Sequence, residues 1–439
     1  MLDTGLPSVL LTESSYLSTL AAVRSFGRAG IDCVVACDSR LGAASWSRFV
    51  RRRLQCPSYT DSGALLKWLL AYGAKHPGHV LYATSDDMAW LYALHHAELS
   101  RYFRMYQPPI ETVYGLLNKQ RLTAIAHASG IEFPRIWFPR SEEDVRQIAE
   151  TAKFPVLFKP VTQIFHGNHG KGVIVDRPED LAGRYQALRN QPYAQDLLTF
   201  DPDARHPLIQ EFQTQALGGI YSISGFIDES GQLLGARAAM KILQRPRRIG
   251  VGVCFEHAEL KPELVASVID MCRRAGFFGA FEVEFIRCDE RYLMIDFNPR
   301  FYGQMAFDVA RGLQIPLIAY YSALGDRQKV QELSAEAQRT AHNSGVDVHC
   351  NRLEFEIMVW AQRTVRGLSS SDVAAWRAWY RRHRQRMVDP VLDRDDRKPF
   401  LAELTRQLLN MAVHPRSFLR STMMSMAACS LNLLPLGLL

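Results

Sequence analysis

The chain has 439 residues and a mass of 49.8 kDa, enough for two or three domains and too large for a mini-protein held by disulfide or metal staples. Apolar residues at 47% and charged residues at 22% are globular values and exclude a largely disordered chain. The net charge of +7 suggests an anionic partner without saying whether that is nucleic acid, lipid or nucleotide phosphate. Arginines outnumber lysines roughly four to one, so each lysine is scarce enough to inspect.

In chain order, residues 9–12 form an apolar run, residues 18–29 have helical spacing through Leu20, Val23 and Phe26, and residues 31–36 form a second apolar run. Strand, helix and strand within about thirty residues make a βαβ unit, so the first sheet is expected to be parallel. No GxGxxG follows the first strand, which excludes a classical NAD site. Residues 65–72 are expected as a helix and 79–84 as a strand ending at Ser85-Asp86-Asp87. Polar groups at the carboxyl end of a parallel strand lie where ligands bind. Asp86 or Asp87 can equally cap the next helix, over 88–96, and one residue can do both.

Pro108-Pro109 marks a boundary. Beyond it the sequence predicts a helix over 116–129, a strand over 133–138, a helix over 141–152 and a strand over 156–159. The last runs into residues 163–172, a glycine-rich loop with Gly167, Gly170, Lys171 and Gly172, and a return strand over 173–176. Such a tip suits phosphate, since glycines let backbone N–H groups approach it and lysine adds charge. A plain structural hairpin is the competing reading. Strands follow over 208–212, 221–227 and 233–240, with Lys241 after the third and Arg245, Arg247 and Arg248 beyond.

The most informative stretch is 279–300. Strand side chains alternate faces, so Glu282 and Glu284 share one face of a strand and Asp296 and Asn298 share one face of the next. A turn at Asp289-Glu290 folds one onto the other, with Val283, Phe285, Ile295 and Phe297 expected on the opposite face. Clustered carboxylates ask for a cation, and Mg²⁺ takes one or two carboxylates plus phosphate oxygens. Arg300 follows two residues after Asn298, able to meet a phosphoryl group. The alternative is a solvated face of ordinary surface acids.

Asn118-Lys119 opening a helix, Phe154-Pro-Val-Leu-Phe-Lys159-Pro, the loop 167–172, Ile209-Gln-Glu211-Phe and Asp296-Phe-Asn298-Pro-Arg300 together resemble the ATP-grasp superfamily. The nearest flavour is its carbamoyl-phosphate-synthase-like carboxylate–amine ligases, and the likeness covers roughly residues 5–330. Two departures stand out: Asp296 replaces the usual Glu, and Phe165, His166 and His169 make the loop bulkier. The resemblance implies an α/β fold: a Rossmann-like pre-ATP-grasp domain over 1–108, an α+β ATP-grasp domain over 109–330 and a helical extension over 331–439. It implies Lys119 and Lys159 on the ATP phosphates, the loop around Gly167, Gly170, Lys171 and Gly172 over the β- and γ-phosphates, and Gln210, Glu211 and Phe212 at the adenine. It implies Lys241 on the γ-phosphate, and Glu284 (with Glu282 as its competitor), Asp296 and Asn298 around Mg²⁺. Arg300 would stabilise the acyl phosphate, and Arg245, Arg247 and Arg248 would grip an acid substrate or be solvated. The implied reaction joins a carboxylate to an amine through an acyl phosphate, releasing ADP and phosphate. A kinase, a carboxylase-type enzyme or a non-catalytic ATP-binding module at a membrane are the alternatives.

Eight scattered cysteines with no CxxC and thirteen histidines with no HExxH give no zinc pattern. Asp3 and Glu13 interrupt any leader-like start, so reduced cysteines and a cytoplasmic address are expected. Helices are expected over 347–360 and 371–386. Residues 423–439 are almost charge-free and read first as an amphipathic or buried helix, second as a membrane-surface contact and last as a span. Small-molecule partners, no nucleic acid and a homodimer complete the expectation.

Overall fold

The computed structural model describes residues 5–165, 172–213, 216, 218–245, 249–341, 345–364 and 368–413. Its first sheet contains β1 (Val9–Leu11), β2 (Cys33–Cys37), β3 (Val50–Gln55), β4 (Val80–Leu81) and β5 (Arg104–Met105), in the order β3-β2-β1-β4-β5 and parallel throughout. Every residue of β1 and β2 is buried, as unbroken apolar runs in a sheet covered on both faces should be. The helix Leu17–Arg28 buries Leu20, Val23 and Phe26 as their spacing requires. β3 was not anticipated: its sequence Val-Arg-Arg-Arg-Leu-Gln is largely exposed on an edge, where charge blunts unwanted pairing. Ser85, not Asp86 or Asp87, caps the next helix, Asp86–Leu94, its Oγ accepting from Met88 N–H at 3.2 Å.

The helix expected over 116–129 is two helices. Ile110–Leu117 ends at Asn118, whose side chain then caps Lys119–His127 by accepting from the N–H groups of Gln120 and Arg121. This break sets Lys119 at a helix start. A small sheet follows, with β6 (Ile136–Trp137), β7 (Val156–Lys159), β8 (Val173–Val175) and β9 (Leu208–Glu211) in the order β6-β9-β7-β8. The helix Glu142–Thr151 starts in a Ser141–Asp144 capping box. It packs with Leu181–Arg189 over the sheet, burying Val145, Phe158, Tyr185 and Ile209.

The largest sheet has seven strands: β10 (Ile220–Ile227), β11 (Leu233–Arg245), β12 (Val251–Ala258), β13 (Gly279–Cys288), β14 (Arg291–Asn298), β15 (Val348–Cys350) and β16 (Met387–Val388). Lys241 lies within β11 rather than after it, since that strand continues to Arg245. The C-terminal region is helical over Arg352–Thr364, Ser370–His383 and Lys398–Val413, yet it also contributes β15 and β16 to this sheet. It then returns to the N-terminal sheet. Arg24 donates to Asp396 at 2.9 Å and to the carbonyls of Pro390 and Val391, while Asp396 also accepts from Ser47 and from Arg48 N–H.

Candidate functional site

The small and large sheets line a cleft open to solvent, and Asp86 reaches it from the N-terminal domain. Its floor is the β13–β14 hairpin. The ladder pairs Glu282 with Asn298 and Glu284 with Asp296, so the acids meet across the strands as their parity predicts. A bulge follows between Glu284 and Phe285, and Phe285 then faces Met294. This corrects one expectation: Ile295 sits in the bulged segment and lines the cleft beside Ile286, instead of joining Val283, Phe285 and Phe297 on the far face.

The basic side chains converge on these acids from three directions. Lys119, at its helix start, donates to Asp296 Oδ1 at 2.6 Å. Lys241, from β11, pairs with Glu284. Lys159, at the end of β7, lines the same cleft. Arg300 donates from Nε to Asp86 Oδ1 at 2.8 Å, from Nη2 to Asn298 Oδ1 at 2.7 Å and from Nη1 to the Phe301 carbonyl at 2.9 Å. A guanidinium carries five N–H donors, so these bonds fix its plane and leave donors for a bound anion.

Glu282 and Glu284 are separated by their surroundings. Glu282 accepts from the amides of Asn298 and Gln304, both at 2.6 Å. Burial, then the negative charge of Glu284, push its pKa up to about 7. Glu284 lines the cleft and Glu282 does not. Among the described residues no three His, Cys, Asp or Glu side chains converge as a protein-only metal cage requires. Glu284, Asp296 and Asn298 on one cleft wall suit Mg²⁺ better, because that ion takes one or two carboxylates and completes its shell with phosphate and water.

Gln210, Glu211 and Gln213 line the cleft with polar groups at the end of β9, beside Phe212, and Leu157, Ile220, Ile286 and Ile295 give it apolar walls. The apolar walls were missed in the sequence, although Ile286 shares the parity of Glu284. Gly167, Gly170 and Lys171, like Arg247 and Arg248 and the segment 423–439, lie outside the described residues. Gly172 is described, and a Cβ there would stand 2.6 Å from the Phe158 carbonyl, so only glycine lets β8 approach β7 so closely. Arg245 pairs with Glu354.

The N-terminal sheet adds a group that the sequence left between two roles. Asp86 reaches Arg300, and Asp87 Oδ1 accepts from Phe165 N–H at 2.6 Å, where the glycine-rich segment begins. Burial raises Asp87 to about 7. Behind them Glu13, at the end of β1, is 1% exposed, accepts from Thr84 Oγ1 at 3.0 Å and is raised by burial to about 8.

No family model matches the sequence, and neither does any curated protein. Solved structures do match. The biotin carboxylase domain of 2-oxoglutarate carboxylase from Hydrogenobacter thermophilus aligns at 15% identity and TM-score 0.57, over 73% of this chain and 70% of that one. The chain has the ATP-grasp fold. An L-amino acid ligase from Bacillus licheniformis aligns at 15% identity and TM-score 0.55, over 73% of this chain and 74% of that one. N5-carboxyaminoimidazole synthetase from Staphylococcus aureus aligns at 13% identity and TM-score 0.52, over 72% and 77%. The small sheet facing the large one across the cleft is the ATP-grasp arrangement.

Proposed function

We propose that the protein is an ATP-dependent carboxylate–amine ligase that forms an amide through an acyl phosphate and releases ADP and phosphate. The observation that carries this reading is the pairing of Glu284 with Asp296 across one hairpin, met by Lys119, Lys241 and Arg300 in a single cleft. Solved neighbours with this fold include a ligase of L-amino acids and a complex with MgADP and bicarbonate.

In this reading Gln210, Glu211 and Phe212 hold the adenine edge, while Lys119, Lys159 and Lys241 neutralise the phosphates. Gly167, Gly170, Lys171 and Gly172 contribute the loop over the β- and γ-phosphates. Glu284, Asp296 and Asn298 would hold Mg²⁺, which supplies charge neutralisation between the phosphate oxygens. The lysines now paired with Glu284 and Asp296 would turn to the phosphates once nucleotide enters. A carboxylate oxygen attacks the γ-phosphorus, the bond to the β-phosphate oxygen breaks and ADP leaves. The amine then attacks the acyl carbon, loses its proton and expels phosphate. Arg300, its plane set by Asp86 and Asn298, faces the anion that forms in both steps.

The test is release of ADP and phosphate from MgATP during a screen of amino acids as donors and acceptors. Release is expected only when both a carboxylate and an amine are present. Formation of AMP would sink the mechanism. A phosphorylated product without an amide would select the kinase alternative. The dimer named for the Hydrogenobacter domain makes a homodimer the corresponding proposal here, measurable by sedimentation velocity.

A further inference from the structure

The helix Lys398–Val413 is built inside out. Its buried positions are Pro399, Ala402, Glu403 and Gln407, and it is seated on the short turn Ala43–Trp46 of the N-terminal sheet. The inward side is polar and satisfied: Gln407 donates to Glu354 at 2.9 Å and to Glu403 at 3.0 Å, and Arg406 Nε donates to Glu403 at 2.9 Å. The outward side carries Leu401 at 58% exposure, Leu408 at 51%, Leu409 at 48%, Met411 at 43% and Val413 at 64%. Nine large apolar side chains are exposed among the described residues, and five of them lie on this one helix. Scattered exposed leucines need no explanation, but a concentrated face of them does. Core packing cannot supply one, because the core side of this helix is already filled with Glu, Gln and Ala.

Two features of the sequence say what covers that face. Residues 397–420 hold five basic side chains (Arg397, Lys398, Arg406, Arg416 and Arg420) against one acidic, Glu403. Residues 421–439 then carry no Asp, Glu, Lys, Arg or His at all, and Met, Leu and Ala dominate them. A protein groove would ask for acids opposite the arginines and would leave the charge-free stretch without a role. An anionic lipid surface answers the basic excess of this sequence and the exposed leucines together: headgroups meet side chains such as Arg397 and Lys398, and the acyl boundary takes the leucine face. No helix among the described residues is long and apolar enough to cross a membrane.

We propose that the face formed by Leu401, Leu408, Leu409, Met411 and Val413 docks the protein on an anionic lipid bilayer. The proposal stands independently of the ligase reading, since it rests on a region remote in sequence from the cleft residues.

The test is flotation of the full chain with two kinds of vesicle, one of phosphatidylcholine and phosphatidylglycerol at a ratio of about 3:1 and one of phosphatidylcholine alone. The protein is expected to float with the first, less with the second, and less again with the first at high salt. The triple variant Leu401→Glu, Leu408→Glu, Leu409→Glu is expected to lose about tenfold or more of its partition. Circular dichroism, thermal midpoint and MgATP binding should stay at wild-type values, because all three positions face solvent. The milder Leu408→Gln provides a second reading should the triple variant fold poorly, with a smaller loss expected. Wild-type protein that floats with neither vesicle would overturn the proposal. So would a correctly folded triple variant that floats as wild type does, which would assign binding elsewhere. A leucine-dependent dimer in sedimentation equilibrium without flotation would overturn it too, in favour of a second copy on this face.

Discussion

Two carboxyls behind the cleft carry the residue-scale argument. Glu13 is raised from 4.5 to about 8 in the folded chain, and Asp87 from 3.8 to about 7, burial being the largest cause for each. Between these limits the unfolded chain has released the protons that the folded chain keeps. The stability these two groups contribute therefore falls as pH rises from about 4 to about 8, opposite to the usual salt-bridged carboxylate. Glu13 faces Thr84, Ser85, Asp87 and Arg300, and Gln in its place keeps an acceptor for Thr84 without the ionisation. Glu13→Gln should flatten the pH dependence of the urea midpoint and, above pH 8, exceed wild type by on the order of 2 kcal/mol. A Glu13→Gln midpoint with the same pH dependence as wild type would contradict this. At the cleft itself, Asp296→Asn keeps an acceptor for Lys119 but removes a charged metal ligand. Mg²⁺-dependent ATP affinity, measured by calorimetry, should drop by about 10- to 100-fold while the thermal midpoint stays close to wild type. Unchanged affinity would refute the metal assignment.

At the scale of elements, the site depends on contacts between segments far apart in sequence. The turn that ends β4 sends Asp86 to Arg300 after β14, and the helix it opens sends Asp87 to the start of the glycine-rich segment. The loop leading into the last helix is tied to the first helix through Arg24 and Asp396, both nearly inaccessible. Replacing Asp396 by Ala strands the Arg24 guanidinium in a buried position and frees Ser47 and Arg48 N–H. A loss of about 3–5 kcal/mol in urea denaturation is expected. The conservative Asp396→Asn should lose less. Gly172→Ala drives a methyl onto the Phe158 carbonyl and should open the β7–β8 pairing, weakening ATP binding with little effect on overall stability.

For the whole molecule, the cleft is lined by the small and large sheets together with Asp86 from the N-terminal domain, so nucleotide should bridge them and protect them together. ATP with Mg²⁺ at a hundredfold excess over its Kd should stabilise the chain by about 2.7 kcal/mol, read as a rise in thermal midpoint. ATP with a chelator should give a smaller rise, and an equal rise would remove Mg²⁺ from the binding step. The C-terminal region belongs to this unit, since β15 and β16 extend the large sheet while the loop at Asp396 returns to the N-terminal one.

The sequence by itself determined whatever is written in local periodicity. Strand parity placed Glu282 with Glu284 and Asp296 with Asn298, and Asn118 marked the start at Lys119. The apolar runs at β1 and β2 announced a buried parallel sheet. Local pattern failed where pairing rather than composition decides. β3 reads as a basic loop because its edge position lets it stay exposed, and β15 and β16 are too short to show a period. Ile295 changed face because a bulge offsets the parity that predicted it. The sequence already leaned to Glu284 over Glu282, and the tertiary structure adds the surroundings: Asn298 and Gln304 close around Glu282 and leave Glu284 at the cleft. The tertiary structure alone turned Asp86 into the partner of Arg300, 214 residues away. It also revealed that the last helix points its leucines outward. Periodicity tells which side chains share a face, but what that face meets is set by the rest of the chain.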